Sequence, residues 1–394
     1  MKDPAQPRVP HVGILIVAVA STNLGMTLLS PVITQLREDL MATAFQAQLV
    51  LGGFLFSVAV AQLLSGSLSD QFGRRVILIN GTLVFGVGGL GSMLAANIEM
   101  LILLRVIQGV GAAACMTMGR VMISDSFAGV EAARKMSVVS SAQAIVPLLG
   151  FAFGGVIAEF IGWRGSIAIM VAGAVLIYGL SIRFIDETRR GEPIPFRPQS
   201  LIFTYKTLIM TPKVLYHGLT SAFAIAIFFS MGGTMPYEFA RLGVSPIEFG
   251  LLFSVTSIGY IIGNAINQAF VGRLGPVHMA LLGSLLTVLV PSAMLTGHLF
   301  EMLSAVHLSF LCFSFGVCNG LVIANAMISS IRAAGDNSGA GTGLLGAMQM
   351  FLGAVCGSVI VAFGGADDFT VTAGGLLLMA LLGAGASFLG AKVR

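Results

Sequence analysis

Apolar stretches of about twenty residues recur along the chain, and short polar segments separate them. Hydrophobic residues make up 56% of the 394 residues, and charged residues make up only 10%. Because a helix needs about 20 apolar residues to cross a bilayer, each stretch is long enough to span a membrane. The pattern therefore predicts an all-α integral membrane protein with twelve transmembrane helices in a lipid bilayer. The predicted spans are 12–34, 46–68, 76–96, 100–124, 137–160, 165–185, 214–236, 248–270, 277–297, 303–328, 340–363 and 370–391.

One polar segment is much longer than the others. It runs from Asp186 to Lys213 and contains five basic residues and four prolines. It separates six predicted spans from six others, an arrangement typical of duplicated transporters that hold a substrate between their halves near the midplane. We predict two six-helix pseudo-symmetric bundles, residues 1–186 and 214–394, joined by a cytoplasmic linker at 187–213.

Positive charge is distributed unevenly between the two ends of the predicted bundles. If the N-terminus is cytoplasmic, 17 of the 21 Lys and Arg residues lie at the cytoplasmic ends of the spans or in the linker. This is the distribution that the positive-inside rule requires. The sequence therefore predicts that both termini are cytoplasmic. The net charge of +4 follows from this topology, so we predict no nucleic-acid partner.

Sequence signatures of enzymes are absent: there is no P-loop, no HExxH and no GxSxG. Four cysteines lie in apolar stretches without metal-ligand spacing, and we interpret them as small packing residues. We therefore predict no catalytic residue, no metal and no cofactor. Without an ATPase motif, transport has to be secondary unless a partner supplies energy. The cysteines are Cys115, Cys312, Cys318 and Cys356.

The most specific polar motif is the loop Gly66–Arg75, GSLSDQFGRR, between the second and third spans. Its glycines permit a tight helix–loop–helix turn. A carboxylate there is favourable beside a helix N-terminus or an arginine. We predict a conformational latch whose contacts differ between the inward-open and outward-open states; the alternative is a basic loop that only fixes topology. The latch residues are Gly66, Asp70, Gly73, Arg74 and Arg75, and a weaker echo, VGRLG at 271–275, follows the eighth span.

The loop resembles the signature loop of the major facilitator superfamily, and other segments resemble its drug antiporters, in particular the Bcr/CflA drug-resistance subfamily. The resemblance implies the major facilitator fold and a monomer in a bacterial inner membrane. It also implies export of small molecules by alternating access, with the proton as coupling ion. The segments that carry it are Gly66–Arg75, Leu24–Ile33, Leu101–Ala113, Ala144–Gly155, Phe160–Arg164 and Ser338–Met350.

Arg105 is the one charged residue that lies deep inside a predicted span rather than near one of its ends. A charge at this depth costs about 2.5–3.5 kcal/mol on insertion scales, so the side chain has to face the interior and find partners. Gln108 lies one turn away on the same helix. The family resemblance implies that an arginine here helps to couple proton and substrate movement. The alternative is a structural arginine bonded to main-chain carbonyls of the first span.

None of the 17 acidic residues falls at the midplane of a predicted span. The family that this chain resembles commonly has an acidic residue where this chain has Thr27, so the usual proton-binding carboxylate is missing. The remaining coupling candidates are Asp125, Glu238 and His307, at the inner end of the fourth span, the outer end of the seventh and within the tenth. Without an embedded acid, the cavity has positive character, which favours neutral, zwitterionic or anionic substrates.

Two further groups of residues belong to the predicted mechanism. A proline and small residues in the fifth span suit a hinge between the halves, and polar, Met and Phe side chains elsewhere suit a substrate cavity. The hinge candidates are Pro147, Gly150, Gly154 and Gly155. The cavity candidates are Asn23, Met26, Thr27, Phe228, Phe229, Tyr260, Asn264, Asn319, Asn325, Met348 and Gln349.

Three functions remain open at this point. The first is a secondary active transporter for multidrug or small-molecule efflux by proton antiport. The second is a uniporter or exchanger of a neutral or anionic metabolite. The third is a membrane receptor or scaffold that does not transport; the intact loop and Arg105 argue against it, because a scaffold has no need for a charge at the midplane.

Overall fold

Helices form nearly all of the chain in the computed structural model, which describes residues 11–189 and 191–393. Within these residues, twelve helical segments are long and apolar enough to cross a membrane, and α1 and α2 together form the first of them. The predicted fold class is therefore confirmed. The helices are α1 Val12–Thr27, α2 Ile33–Asp39, α3 Ala44–Phe72, α4 Arg74–Met93, α5 Ile98–Ser126, α6 Gly129–Ile161, α7 Trp163–Phe184, α8 Pro198–Met210, α9 Pro212–Arg241, α10 Pro246–Leu274, α11 Pro276–Leu299, α12 Ala305–Ala333, α13 Ser338–Ala362 and α14 Phe369–Lys392.

Most helices run beyond the predicted spans. Hydropathy detects only the apolar part of a helix, whereas the helix itself continues through polar residues until a capping group ends it. The side chain of Thr43 caps α3 and that of Ser245 caps α10, each in a reciprocal pair with the residue three positions later. The largest difference is at α6, which begins at Gly129 rather than at residue 137.

The first crossing is broken in its middle. α1 ends at Thr27, a short 3-10 turn follows at Ser30–Val32, and α2 continues to Asp39. Pro31 lies in this turn, and because proline lacks a main-chain N–H it cannot continue the hydrogen bonding of α1. The sequence analysis predicted one continuous span at this position.

The linker contains a helix that the sequence analysis did not predict. α8 buries Leu208 against Val214 and Leu344. The Tyr205 hydroxyl donates to the carbonyl of Leu63 on α3 at 3.0 Å. Burial raises the pKa of Tyr205, so the phenol stays protonated as the donor. The linker therefore packs against both halves.

The two halves use the same packing plan. α3 and α4 pack on α5 in the first half, as α10 and α11 pack on α12 in the second. The weak sequence echo also has a structural counterpart, because Gly73 between α3 and α4 and Gly275 between α10 and α11 both have positive φ, 101° and 77°. Between the halves, α3 packs on α13 and α6 packs on α10, which is the pairing that a two-fold pseudo-symmetry produces.

Candidate functional site

The halves meet closely at the end of the bundle opposite the Gly66–Arg75 loop. We call this end the far face and the other end the loop face. On the far side, the Ser30 hydroxyl donates to the carbonyl of Gly232 on α9. A Cβ atom at Gly155 would collide with the carbonyl of Pro246, and one at Gly250 with that of Phe151. Because no side chains separate these backbones, the far face is closed by direct helix contact.

Two glutamines on one face of α3 also reach across to the other half. The amide of Gln48 lies against Gly233 of α9 and Gly357 of α13, and that of Gln62 lies against Gly346 of α13. Both side chains are buried, and the Oε1 atom of each lacks a hydrogen-bond partner among the described residues. A buried polar atom without a partner costs free energy, so these two glutamines make the seam less stable than a wholly apolar contact would be.

Toward the loop face, the packing between α6 and α10 loosens. Among the described side chains of 129–149, Val139 alone is buried, whereas Gly150, Phe151, Gly154 and Gly155 are all buried. On the other side of the bundle, Gln62 and Leu63 of α3 and the linker helix still contact the second half at this end. α6 and α10 therefore diverge toward the loop face, and we interpret the space between them as a cleft.

The predicted cavity residues fall into two groups. Five are half-buried: Asn23, Phe228, Tyr260, Asn264 and Met348. Phe228 packs edge-to-face on Phe151 of the other half, with ring centroids 6.1 Å apart. Partial exposure is compatible with a cavity wall, and the substrate contact of these five residues stays a prediction.

The other six cavity candidates are buried in the packing of their own half or of the seam, so their prediction as open cavity wall is corrected. Thr27 packs on Gly150 and donates to the carbonyl of Asn23 at 3.1 Å. Asn325 donates to Asn267 at 2.6 Å. Polar and Met side chains can contact a neighbouring helix as well as a ligand. Their spacing in the sequence does not distinguish a packing residue from a cavity residue. The buried six are Met26, Thr27, Phe229, Asn319, Asn325 and Gln349.

Arg105 lies in a cage of main-chain and side-chain acceptors. The guanidinium donates to the carbonyl of Gly25 on α1, to Gln108 Oε1 at 2.5 Å and to the carbonyl of Val50 at 3.4 Å. It also stacks on Phe54, with Cζ 4.3 Å from the ring centroid. The side chain is fully buried. Of the two predicted placements, the structure shows the carbonyl cage, and the cage ties α5 to α1 and α3.

The loop motif forms a compact ion-pair network within the first half. Arg74 pairs with Asp70 at 2.6 Å and with Asp125, at the end of α5, at 3.1 Å. Arg75 donates to the carbonyls of Ile182 and Ile185, where its charge is favourable beside the C-terminus of α7. Asp125, predicted as a coupling candidate, thus belongs to the latch.

The turn itself needs one glycine rather than two. Gly73 has φ 101° and ψ 149°, a conformation that essentially only glycine adopts. Gly66 lies inside α3 and not in the turn, so its predicted role in the turn was wrong. A Cβ atom at Gly66 would meet nothing within 4 Å.

Glu187 belongs to the same network as the loop residues, although the sequence predicted no role for it. α4 begins after Gly73, which has no side chain to cap the free N–H groups. The Glu187 carboxylate accepts hydrogen bonds from the main-chain N–H groups of Arg74 at 2.9 Å and Arg75 at 3.2 Å. It also accepts one from Arg189 at 2.9 Å. The sequence did contain a signal for this contact. α4 begins without a capping side chain, and an acidic segment lies on the same predicted side of the membrane, so its carboxylates could cap the free N–H groups.

The structure separates the two remaining coupling candidates. Glu238 lies one turn before the end of α9 and is only 4% exposed. Its carboxylate is 3.0 Å from Arg241 and 4.0 Å from His298 Nδ1. Arg241 is held in turn by the carbonyls of Ala366 and Asp367. Glu238 is thus a buried acid close to two basic groups near the far face.

His307 lies within the tenth span, as predicted, but on its exposed surface rather than in the interior of the bundle. It lies in the first turn of α12, exposed, with Nδ1 3.1 Å from both the Ser304 hydroxyl and the Met302 carbonyl. It lines an apolar groove of about 300 Å³ between α11 and α12. α12 begins at Ala305, two residues after the predicted start of the span, so a histidine near that boundary lies in the first turn of the helix.

The hinge candidates all lie in α6, which remains helical through Pro147. Gly150 and Gly154 allow α1 and the 3-10 turn to pack closely on α6, and Gly155 allows close contact with Pro246 of the other half. The close packing expected from small residues is therefore present; the hinge motion itself stays a prediction.

No group of three or more His, Cys, Asp or Glu side chains in the described part of the chain is placed to hold a metal ion. The four cysteines are free; three are buried and Cys356 is half-buried.

Comparisons with known proteins agree with this architecture. The chain is 31% identical over 258 residues to a chloramphenicol resistance protein of Pseudomonas aeruginosa, covering 64% of this chain and 59% of that protein. It is 24% identical to a bicyclomycin resistance protein homologue of Haemophilus influenzae, covering 86% and 85% of the two chains. The fold is similar to the crystal structure of a bacterial homologue of the human lysosomal transporter Spinster, with a TM-score of 0.74, 14% identity and coverage of 97% and 96%. The sequence model of the Major Facilitator Superfamily matches residues 15–358, and the chain belongs to that family.

Proposed function

We propose that this membrane protein is a secondary active transporter that exports drugs or other small molecules from the bacterial cytoplasm by alternating access. The observation that carries the proposal is the asymmetric seam: the halves touch backbone to backbone at the far face, and α6 and α10 diverge toward the loop face. Family membership and the names of the resistance proteins to which the chain is similar support the choice of drug export.

The proposed orientation places both termini and the loop face in the cytoplasm of a cell with this protein in its inner membrane. The positive-inside distribution supports it. In this orientation the cleft opens inward, and the state described is the inward-open one. The latch supports this assignment, because Asp70, Arg74 and Glu187 take the partners named above from the first half and the start of the linker. Closing the loop face would bring the second half against them.

Glu238 is the proposed proton-binding group. It is a buried carboxylate at the closed end, where it pairs with Arg241 and lies 4.0 Å from His298 Nδ1. Opening of the far face would admit water and a proton to this carboxylate. A group whose access and partners change between two states is what coupling by antiport requires.

The test is export from cells and vesicles. A strain without its own drug pumps should gain resistance to chloramphenicol when it expresses the protein. In inside-out vesicles, the added drug should release protons down a preformed gradient. Resistance that is absent for a broad panel of antibiotics, with the protein present in the membrane, would contradict the proposal.

A second candidate is a uniporter or exchanger of a neutral or anionic metabolite. It is favoured by Arg105, which is caged by carbonyls rather than paired with a carboxylate in the described interior. Flux of the substrate in liposomes without any proton movement would support this candidate over antiport.

A further inference from the structure

A second arginine on α5, Arg120, lies in the cleft rather than at the membrane surface. In the structure its Nη2 atom donates to Gln143 Oε1 on α6 at 3.0 Å. Asn23 on α1 donates from Nδ2 to the main-chain carbonyl of Gln143 at 3.4 Å. We call Asn23, Arg120 and Gln143 the Arg120 cluster, which joins three helices of the first half.

The depth of the cluster argues against a purely topological role. Arginines that mark the membrane surface extend toward the water, a behaviour called snorkelling. Gln143, to which Arg120 points, lies six residues after the start of the apolar stretch of α6 at residue 137, about 9 Å at 1.5 Å per residue. The guanidinium is therefore held below the surface, on the partly open face of α5 that includes Thr117 and Ser124.

The positive charge of Arg120 is not neutralised within the described residues. The next acid along α5, Asp125, is bonded to Arg74 at 3.1 Å, and Asp70 pairs with Arg74 as well. No described carboxylate lies within ion-pair distance of Arg120. A guanidinium has five N–H donors, and the hydrogen bond to Gln143 uses one of them. The cluster thus presents a charged donor set to the cleft.

We propose that the Arg120 cluster binds the anionic headgroup of amphiphilic organic anions, such as aromatic carboxylates, as they enter the cleft. This rests on the transport function proposed above and names a substrate class for it. A carboxylate can accept two parallel hydrogen bonds from a guanidinium, and the Gln143 and Asn23 amides add neutral donors beside it. The low-dielectric walls of the cleft strengthen the attraction, and the same field repels cations. The apolar body of the ligand would lie on half-buried Phe228 and Met348 of the other half.

The test compares two ligands that differ only in charge. Binding of 2-naphthoate and of 2-naphthamide to the purified full-length protein in detergent is measured by calorimetry. We expect wild type to prefer the carboxylate by about tenfold or more, as for a charge-assisted hydrogen bond. The preference should disappear in Arg120→Gln and be partly kept in Arg120→Lys. The matched control is Arg134→Gln, which removes the same charge from an exposed position on α6 and should keep the preference.

Two results would overturn the proposal. One is that wild type binds the two compounds equally or binds neither. The other is that Arg120→Gln keeps the preference for the carboxylate although the variant elutes as a folded, monodisperse protein. If Arg120→Gln does not fold, Arg120→Lys decides, because full loss of the preference with the charge kept would contradict a headgroup site. Chloramphenicol export by the wild type separates the two proposals: export without carboxylate preference removes only this site, and no export removes the function itself.

Discussion

At the scale of residues, the main chain stabilises two of the charged side chains, Arg105 and Glu187, through carbonyl groups and a helix end. Arg105 is stabilised by carbonyls of α1 and α3 rather than by an acid. Glu187 is stabilised by the free N–H groups at the start of α4. Both solutions use backbone dipoles that are already present in the fold, so neither needs a partner of opposite charge at the same depth.

Replacement of Gly73 by alanine should destabilise the latch. The backbone at Gly73 has φ 101° and ψ 149°, and the added Cβ would press on the Glu187 carboxylate. We expect a loss of about 1–3 kcal/mol, the usual cost of such a strained residue, measured as thermal unfolding in detergent. Gly66→Ala is the control, because nothing lies within 4 Å of its added Cβ. Equal effects of the two variants would contradict this account.

Replacement of Glu187 by glutamine should weaken the start of α4. The carboxylate caps two N–H groups, and its charge interacts favourably with the positive end of the helix. A loss of about 0.5–2 kcal/mol, typical of a lost helix cap, should appear as a lower unfolding temperature. Glu192→Gln removes the same charge from an exposed position in the same linker and should leave the unfolding temperature unchanged. A larger effect at Glu192 would show that only the charge of the linker matters.

At the scale of elements, glycine positions decide which helices touch. α6 packs on α1 through Gly150 and Gly154 and on α10 through Gly155. Lipid chains are as apolar as helix surfaces, so helix association in a membrane depends on close packing rather than on the hydrophobic effect. A seam that consists of small residues can close tightly and still separate, which suits a contact that has to break in each transport cycle.

A valine at Gly155 should keep the far face from closing. The branched side chain would collide with Pro246 and Ile247 on α10. We expect transport to fall by about tenfold or more, as expected for overpacking at a tight contact, while the protein still inserts into the membrane. Spin labels on the two halves at the far face should report longer distances than in wild type. Gly179→Val, where an added Cβ meets nothing within 4 Å, should transport normally; unchanged distances in Gly155→Val would contradict the role of this seam.

At the scale of the whole molecule, charge is arranged in three layers. The loop face carries the latch network, the first half carries Arg105 and Arg120, and the far face carries the buried Glu238. Among the described residues, this order leaves Arg120 as a positive charge beside the cleft and Glu238 as the buried acid at the opposite end. A transporter arranged in this way would admit its substrate and its proton from different sides.

Replacement of Glu238 by glutamine should uncouple transport from the proton gradient. Glutamine keeps the shape of the side chain but cannot take up and release a proton. In vesicles, uphill export driven by a pH gradient should be lost, while exchange of labelled for unlabelled drug at equal concentrations should continue. Glu159→Gln, an exposed acid on the far face, is the control. If the Glu238 variant retains gradient-driven export, the coupling proton binds elsewhere or is not used.

The helices, their number and the two-half plan could be predicted from the sequence, because each of these follows from local properties. Twenty apolar residues have to form a helix to satisfy their backbone in lipid. The linker and the charge distribution mark where one half ends. Local patterns also identified Arg105 as buried and the Gly66–Arg75 loop as a polar network, since a charge in a span cannot remain without partners.

The partner that each of these groups takes depends on the tertiary structure and could not be predicted from the sequence. Thr27, Asn325 and Gln349 have the same character as Asn23 in the sequence, yet the first three are buried by neighbours and Asn23 is half-buried beside the cleft. Glu187 caps a helix that begins more than a hundred residues earlier, and Arg120 turns inward to Gln143 instead of outward to water. These outcomes depend on which helices lie side by side, and that is fixed by long-range packing through glycines and not by the local sequence around each residue.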